Sequence, residues 1–389
     1  MGRKLLMGMV GGGEDSPAGK IHRAAAKATG RISLVCGAFS RASTRSIQFG
    51  EEALPAKGRA YGSYREMFKK EAKLPEGERM DFVSILTTNN MHYPVSMAAA
   101  DAGFHIACER PMTTSMDEAV NLSRKLKQTE RLFCLAHSYA FTPALREAAK
   151  LIASGHIGSV RRIVIEYPQA WLATRMETAG SKQAAWRTDP KRMGRAGSAA
   201  DIGADCEFIA SMLIGSPVTE LSADLTNFIK GRTLDDDACT LVRFENGARG
   251  TIWTSQIAVG EDNALSVRVY GDQGALVWRQ REPLTLTIKS VEGKIKTSKH
   301  EQTLKKFSLN TSKAAIPLPP SQGFLDSFVD LYDSFANALE DAESGKKITE
   351  QKYGYPTVED GIRCMAFIEA VARSSKSESK WTPLEIETT

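Results

Sequence analysis

The chain has 389 residues, with 51 Lys and Arg against 46 Asp and Glu, which gives a formal net charge of +5. Hydrophobic residues make up 42% and charged residues 25%, ordinary globular values that exclude a wholly disordered chain. The positive charge is too dilute to predict nucleic-acid binding. No stretch approaches about 18 consecutive apolar residues, so we expect no membrane partner. The length predicts two or three domains.

The six cysteines form no CxxC pair and no Cys/His pair with zinc spacing. Most lie in apolar runs, where a free thiol behaves as a small hydrophobic side chain. The apolar stretch before Gly11 is too short for a signal peptide. We therefore expect a cytoplasmic protein without a structural metal.

Short apolar runs alternate with helical patterns over the first 140 residues, which predicts a parallel sheet covered on both faces. The predicted strands are Leu5–Val10, Ile32–Phe39, Asp81–Leu86, Phe104–Cys108 and Leu132–Ala136. The predicted helices are 18–27, 93–102 and 115–127.

Beyond about residue 150, strand-like runs follow one another with short turns, which predicts a largely antiparallel sheet. These strands are Val160–Tyr167, Glu220–Asn227, Ala238–Glu245, Arg249–Ser255, Ser266–Tyr270 and Leu284–Ile288. Helices are predicted over 201–214, 323–343 and 358–373, a solvated excursion over 290–315 and a tail over 374–389. The pattern predicts an α/β nucleotide-binding type of domain followed by an α+β domain.

A glycine cluster separates the first strand from the first helix. Gly11 and Gly13 fit a G-x-G pattern, and Ser16 is the next small residue where a third glycine is usual. Glycines let the backbone approach a dinucleotide pyrophosphate, and the following helix N-terminus supplies N–H donors. The alternative is a plain glycine-rich turn between strand and helix.

The end of the second strand bears on which nicotinamide cofactor is bound. An NAD site usually carries Asp or Glu there for the ribose hydroxyls, but this chain has Ser40 and Arg41. Both side chains could hold a 2′-phosphate, which favours NADP over NAD. The alternative is that Arg41 only caps a solvated loop.

Three further segments carry a family resemblance: TTNNMH over 87–92, GFHIACERP over 103–111 and GRAGSAADIGADCEFIASMLIG over 194–215. With the glycine cluster, their order and spacing resemble the Gfo/Idh/MocA family (glucose–fructose oxidoreductase, inositol dehydrogenase, MocA). The resemblance runs through nearly the whole chain.

The resemblance implies an N-terminal Rossmann dinucleotide-binding domain, placed at 1–140, and a C-terminal α/β domain with a large, mostly antiparallel open sheet, placed at 141–389. It implies NAD(P)-linked interconversion of a secondary hydroxyl and a ketone on a sugar, glycoside or cyclitol. Thr88, Asn89, His92 and Glu109 are then expected at the cofactor. Because the open sheet needs a cover, we expect a homo-oligomer, a dimer or a tetramer.

The chain departs from the family at two central positions. The family's E-K-P becomes Glu109-Arg110-Pro111, and its D-x-G-x-H becomes Asp201 to Asp205. An arginine stays protonated and cannot take a proton, whereas a lysine can. An aspartate's ordinary pKa of about 3.9 makes it a weaker base than histidine. Burial would raise the pKa of Asp205 and Arg110 would lower it, and the sequence leaves the balance open.

Two functions follow from these departures. In an active oxidoreductase, Arg110 would polarise the substrate oxygen and Asp205 would act as base, with Asp201, His92 and Tyr139 as alternatives. In a sugar- or cofactor-binding subunit or sensor, hydride transfer would be lost. A non-redox reaction that uses the cofactor transiently is a third reading.

Other side chains are candidates for substrate contacts. His137 and Tyr139 follow a predicted strand at its carboxyl end, where open parallel sheets bind ligands. Trp186 and Arg187 lie in a long irregular stretch and could line a sugar pocket. Loop packing is the alternative for all four. The acidic run 235–237 is interpreted as a solvated strand entry, so no metal site is predicted there. His22 is interpreted as a residue on the surface of the first helix.

Overall fold

The computed structural model describes residues 3–301 and 322–386. Over these residues the chain forms one five-stranded and one nine-stranded sheet, with helices packed against both. No helix in the described ranges is long and apolar enough to cross a membrane.

The first sheet is entirely parallel, with strand order β2-β1-β3-β4-β5. Its strands are β1 Leu5–Gly11, β2 Ile32–Ala38, β3 Phe82–Leu86, β4 His105–Cys108 and β5 Phe133–Leu135. Its helices are α1 Pro17–Ala28, α2 Ser43–Ala53, α3 Tyr64–Glu71, α4 His92–Asp101 and α5 Met116–Thr129. Every residue of β3 is buried, as expected for a strand covered on both faces. The strand order reverses between β1 and β3, where α/β sheets open a ligand crevice.

The second sheet has the order β13-β12-β11-β10-β6-β9-β8-β7-β14, and only the pair of β6 with β9 is parallel. The strands are β6 Val160–Pro168, β7 Val218–Thr226, β8 Asp237–Phe244, β9 Arg249–Ser255, β10 Ser266–Gly271, β11 Gly274–Arg279, β12 Thr285–Ser290, β13 Ile295–Lys299 and β14 Thr382–Pro383. The remaining helices are α6 Pro143–Ala153, α7 Lys182–Arg187, α8 Pro190–Met193, α9 Ser198–Asp201, α10 Gly203–Ile214, α11 Gln322–Glu343 and α12 Val358–Ser374. The mostly antiparallel sheet is confirmed.

Two predicted irregular segments contain strands, so those predictions were wrong. β13 lies in the predicted excursion 290–315 and pairs with β12, while residues 302–315 lie outside the described ranges. β14 lies in the predicted tail and pairs with β7. The side chains of β13 are mostly exposed, so the strand carries no apolar alternation that a sequence pattern could reveal.

The helix predicted over 201–214 is interrupted. α9 ends at Asp201, Ile202 separates the two helices, and α10 begins at Gly203. Almost every side chain of α10 is buried, because the helix packs between the second sheet and helices α6 and α12. Asp201 and Asp205 therefore belong to different helices and face different partners.

Helix α11, which precedes the last helix α12, packs back against α1 of the first sheet. Arg31 pairs with Asp333 at 2.7 Å and with Glu340 at 2.6 Å across this contact. Tyr332 of α11 reaches the buried ring of His22 on α1. This late part of the chain thus packs on the side of the molecule that the first sheet forms.

Candidate active site

The glycine cluster forms the tight turn that the sequence predicts. Gly11 has φ +79°, and a Cβ there would collide with the carbonyl oxygen of Leu86. A Cβ at Gly19, in the first turn of α1, would collide with the backbone of Gly12. The loop between them, with Gly13, presents backbone to the crevice. Ser16 caps α1, its Oγ accepting from the Gly19 N–H at 3.1 Å. This cradle and the helix N-terminus fit a dinucleotide pyrophosphate.

One acidic residue next to this loop, Asp15, is paired with two cationic side chains. Asp15 pairs with Lys182 at 2.7 Å and with Arg45 at 3.5 Å. The hydrogen bond and charge of Lys182 lower the pKa of Asp15. At the end of β2, Ser40 is half-buried and Arg41 is exposed, so both are open to a ligand.

The segment 87–92 follows β3 and contacts α8. Asn89 donates from Nδ2 to the backbone oxygen of Met193 at 3.2 Å, while the adjacent Thr88 bonds Asn90. The buried ring of His92 faces two carbonyl oxygens, Pro111 at 2.7 Å from Nδ1 and Thr87 at 3.2 Å from Nε2. The ring is thus held between two backbone carbonyl groups, and its N–H can donate to one of them.

Arg110, Asp205 and His137 meet in one cluster at the carboxyl ends of β4 and β5. Arg110 donates from Nε to Oδ1 of Asp205 at 2.7 Å, and its second terminal nitrogen lies 2.6 Å from Oδ2. Nδ1 of His137 lies 3.0 Å from the same Oδ1. The Asp205 and His137 side chains are 1% and 0% exposed, whereas Arg110 is 23% exposed. Arg110 is therefore the member of the cluster that faces open space.

Two opposing effects act on the pKa of Asp205, and the effect of Arg110 is the decisive one. Burial raises the pKa of Asp205, but the charge of Arg110, followed by the hydrogen bonds from His137 and Arg110, holds it below its ordinary value. Burial likewise lowers the pKa of Arg110, and the carboxylate of Asp205 more than offsets this. Asp205 is thus an ionised, ion-paired carboxylate, which makes it a poor proton acceptor.

Glu109 anchors a second chain of hydrogen bonds. His22 bonds Glu109 through Nε2 at 2.8 Å and the hydroxyl of Tyr332 through Nδ1 at 2.7 Å. The Tyr332 hydroxyl also lies 2.9 Å from Oγ of Ser84. Burial raises the pKa of Glu109, but the bond from His22 and the charge of Arg110 lower it to about 2. His22 is 1% exposed, so its prediction as a helix-surface residue was wrong: its partner Tyr332 lies 310 residues away.

A third group surrounds Asp201. Arg187 donates from Nε to Oδ2 of Asp201 at 2.9 Å, and Gln256 donates to the same oxygen at 2.7 Å. The Arg187 guanidinium lies 4.1 Å from the ring centroid of Trp186 and 5.5 Å from that of Trp171. Trp186 and Arg187 are partly exposed, so this group presents a stacked aromatic and cationic surface.

Tyr139 joins none of these groups directly. Its hydroxyl lies 3.1 Å from that of Tyr167 and 3.1 Å from Oε1 of Gln280. Burial raises the pKa of both tyrosines, so neither is suited to accept a proton. Tyr167 and Gln256 were not singled out from the sequence, because an isolated polar residue at or just after the end of a strand gives no local signal.

The acidic run 235–237 is not solvated as predicted. Asp235 accepts from the backbone N–H groups of Gly197 at 2.5 Å and Ala199 at 2.9 Å, which caps α9. Asp236 is buried and accepts from the Phe228 and Ile229 N–H groups. Within residues 3–301 and 322–386, no group of three or more His, Cys, Asp and Glu side chains could hold a metal ion. The six cysteines are free thiols.

Two family models match the chain. The NAD-binding Rossmann model of the oxidoreductase family covers residues 5–137, and the GFO/IDH/MocA C-terminal domain model covers residues 145–277. The chain belongs to the Gfo/Idh/MocA oxidoreductase family. The resemblance drawn from the sequence, the Rossmann assignment and the oxidoreductase class are thereby confirmed.

Individual relatives agree with this membership. The uncharacterized oxidoreductase YfiI of Bacillus subtilis is 27% identical, over 97% of this chain and 96% of its own length. Levoglucosan dehydrogenase of Pseudarthrobacter phenanthrenivorans is 27% identical, over 54% of this chain and 58% of its own. The crystal structure of an inositol dehydrogenase homolog from Azotobacter vinelandii, complexed with NAD+, superimposes with a TM-score of 0.87 at 26% identity, covering 98% of both chains.

The Arg110–Asp205 pair has a testable effect on stability. Arg110→Gln leaves the Asp205 carboxylate buried without its cation, so we expect the free energy of unfolding at pH 7 to fall by about 3–5 kcal/mol. In the wild type, the depressed pKa of Asp205 contributes stability above its unfolded pKa, and that contribution is lost as the pH falls through the folded pKa. In the variant, burial alone raises this pKa, so protonation at low pH relieves the penalty. The deficit should therefore shrink from pH 7 towards pH 4 in urea unfolding.

Arg281→Gln is the matched control, because Arg281 pairs with Glu261 at 2.8 Å but is 60% exposed. Such a surface pair contributes at most about 1 kcal/mol. Equal losses in the two variants, or a deficit for Arg110→Gln that does not change with pH, would contradict the ion-pair account.

Proposed function

We propose that this oxidoreductase interconverts a secondary hydroxyl and a ketone on a sugar, glycoside or cyclitol, with a nicotinamide dinucleotide as the redox partner. The observation that carries the proposal is the meeting of Arg110, Asp205 and His137 where β4 and β5 end, on the side of the sheet that carries the glycine loop. Relatives named for levoglucosan and for scyllo-inositol support the substrate class.

In this proposal the first domain, over 1–140, holds the cofactor. Gly11, Gly13 and Ser16 present backbone and the α1 N-terminus to the pyrophosphate. When bound, the nicotinamide takes up or returns the hydride. Thr88, Asn89 and Glu109 line the same crevice, and His92 positions the segment. Ser40 and Arg41 favour NADP, because one hydroxyl and one exposed cation suit a 2′-phosphate.

The substrate would lie between the first domain and the second, over 141–389. Arg110 keeps N–H donors free beyond those given to Asp205, and they can polarise the substrate oxygen. Trp186 and Arg187 offer an aromatic face and a cation to a polyhydroxylated ring, with Asp201 fixing Arg187. Tyr139 is buried and hydrogen-bonded to Tyr167, and in this proposal it supports the wall of the substrate pocket.

A second candidate function rests on the Arg110–Asp205 geometry itself. A guanidinium held by two contacts to a buried carboxylate is less free to follow a reacting oxygen than a lysine. That favours a cofactor- or sugar-binding subunit or sensor of the same fold. The two functions differ in turnover and not in nucleotide binding.

We also propose a homo-oligomer, dimer or tetramer, built on the outer face of the second sheet. Along β8 and β9 the side chains alternate between a buried face and a face that is open within this chain. The open face carries Leu241, Trp253 and Tyr270, and Leu241 and Tyr270 are each 41% exposed. These side chains lie in different cross-strand rows beside Arg162, Arg249 and Arg268, and a second copy of the chain would cover them together with these polar groups.

The redox proposal predicts turnover. Purified protein with NAD+ or NADP+ and a panel of sugars, anhydrosugars and inositols should raise the absorbance of reduced nicotinamide for at least one substrate, with a lower KM for NADP+. Arg41→Ala should remove that cofactor preference without abolishing turnover. Nucleotide binding without turnover on any substrate, unchanged in the variant carrying both R110K and D205H, would overturn the redox proposal in favour of the binding subunit.

The sheet-face proposal predicts a mass change. Wild-type protein should have the mass of a dimer or tetramer in light scattering after gel filtration, and Leu241→Glu should lower it. Ile47→Glu is the matched control, because Ile47 is also 41% exposed but lies on α2 of the first domain. A monomeric wild type, or equal effects of the two substitutions, would contradict this assembly.

A further inference from the structure

We propose that Nε2 of His137 is the group that accepts the substrate's hydroxyl proton, and that Asp205 is its positioning residue. The inference rests on the proposed function and assigns the base that the family replacements at Arg110 and Asp205 leave open. Three observations support the assignment. His137 contacts Asp205 through Nδ1, its Nε2 has no hydrogen-bond partner in the described part of the chain, and the other candidate side chains make hydrogen bonds of their own.

Asp205 fixes the tautomer of His137. An ionised carboxylate can only accept hydrogen bonds, so the contact of 3.0 Å requires His137 to donate through Nδ1–H. The charge of Asp205 is already matched by Arg110, so His137 does not need to be cationic to balance it. A neutral imidazole protonated at Nδ1 carries its lone pair at Nε2.

Nε2 of His137 has no hydrogen-bond partner within the described part of the chain, although it is fully buried. Buried polar atoms are normally hydrogen-bonded, so an unpaired one points to a ligand or a reacting group. The ring is stacked on Phe208 at 4.6 Å between centroids with an interplanar angle of 6°. The bond at Nδ1 and this stacking together fix the direction of the Nε2 lone pair.

The other candidate bases near His137 are held in ion pairs or hydrogen bonds with protein groups. Arg110 remains a cation, and both ring nitrogens of His92 face backbone carbonyls. Asp201 accepts from Arg187 and Gln256, and the hydroxyl of Tyr139 is bonded to Tyr167 and Gln280. Among the imidazole and hydroxyl groups of these candidates in the described part of the chain, His137 has the buried nitrogen that lacks a hydrogen-bond partner.

His137 exchanges one proton with the substrate oxygen in either direction of the reaction. In the oxidation direction, the substrate O–H bond breaks and a Nε2–H bond forms on His137, while the carbon's hydride passes to the oxidised nicotinamide and a C=O bond forms. The alcohol is oxidised, the nicotinamide is reduced, and the imidazolium is stabilised by Asp205 next to it. In the reverse direction the same Nε2–H protonates the ketone oxygen.

His137→Gln tests this assignment with His156→Gln as the matched control, because His156 is exposed in a turn away from the site. We expect kcat to fall by about 10²–10⁴-fold in His137→Gln with a much smaller change in KM, as for loss of a general base. The limb of the kcat/KM profile that reports the essential base should disappear. Nucleotide affinity, measured by quenching of tryptophan fluorescence, should stay unchanged.

His137→Ala is the second variant, and added imidazole should restore part of its activity. Turnover that survives both substitutions with the wild-type pH profile would overturn the assignment of His137 and leave the proposed function standing. A wild type without turnover on the whole panel would overturn the proposed function and this assignment with it. If neither variant folds, a wild-type kcat/KM profile without a limb for an essential base would overturn the assignment.

Discussion

The ion pair between Arg110 and the buried carboxylate of Asp205 is the interaction on which the site depends. It joins the loop after β4 to α10, and so fixes the second part of the chain against the nucleotide-binding sheet. A buried ion pair is a costly way to stabilise a fold, because desolvation offsets most of the attraction. Its value here lies in setting the charge of Asp205 and, through it, the orientation of His137.

The pair also belongs to a longer series of contacts. Arg110 lies 3.7 Å from Glu109, which bonds His22, and His22 bonds Tyr332 on α11. Groups from α1, the loop after β4, α10 and α11 therefore constrain one another around the place where the cofactor and substrate are proposed to meet. The position of α11 against α1 is part of the site's construction, because Tyr332 completes the hydrogen bonding of His22.

Sequence reasoning worked where the signal is local. The parallel strands, the glycine turn and the antiparallel order of the second sheet follow from apolar periodicity and turn residues over short windows. Arg110 and Asp205 were identified as the decisive departures because both lie inside recognisable motifs. The candidate residues Trp186, Arg187 and Asp201 were also named, but nothing in the sequence indicated that they form one group.

The features that the sequence did not predict depend on contacts between residues far apart in the chain. The pKa of Asp205 is a balance of burial against charge, and its sign requires knowing that Arg110, 95 residues away, makes two contacts with it. His22 was predicted to be a surface residue because its partner Tyr332 lies on α11, 310 residues further along the chain. The run 235–237 looked solvated because its acceptors cap a helix and a turn that no local pattern connects to it.

The tautomer of His137 is the most direct test of the central claim. Imidazole 15N NMR of histidine-labelled protein near pH 8, with the His137 signals assigned by their loss in His137→Gln, reports which nitrogen carries the proton. The account predicts a protonated Nδ1 and an unprotonated Nε2, with this tautomer preference lost in Asp205→Asn. A proton on Nε2 with Nδ1 bare would contradict it, since the lone pair would then face Asp205 and no base would remain for the substrate.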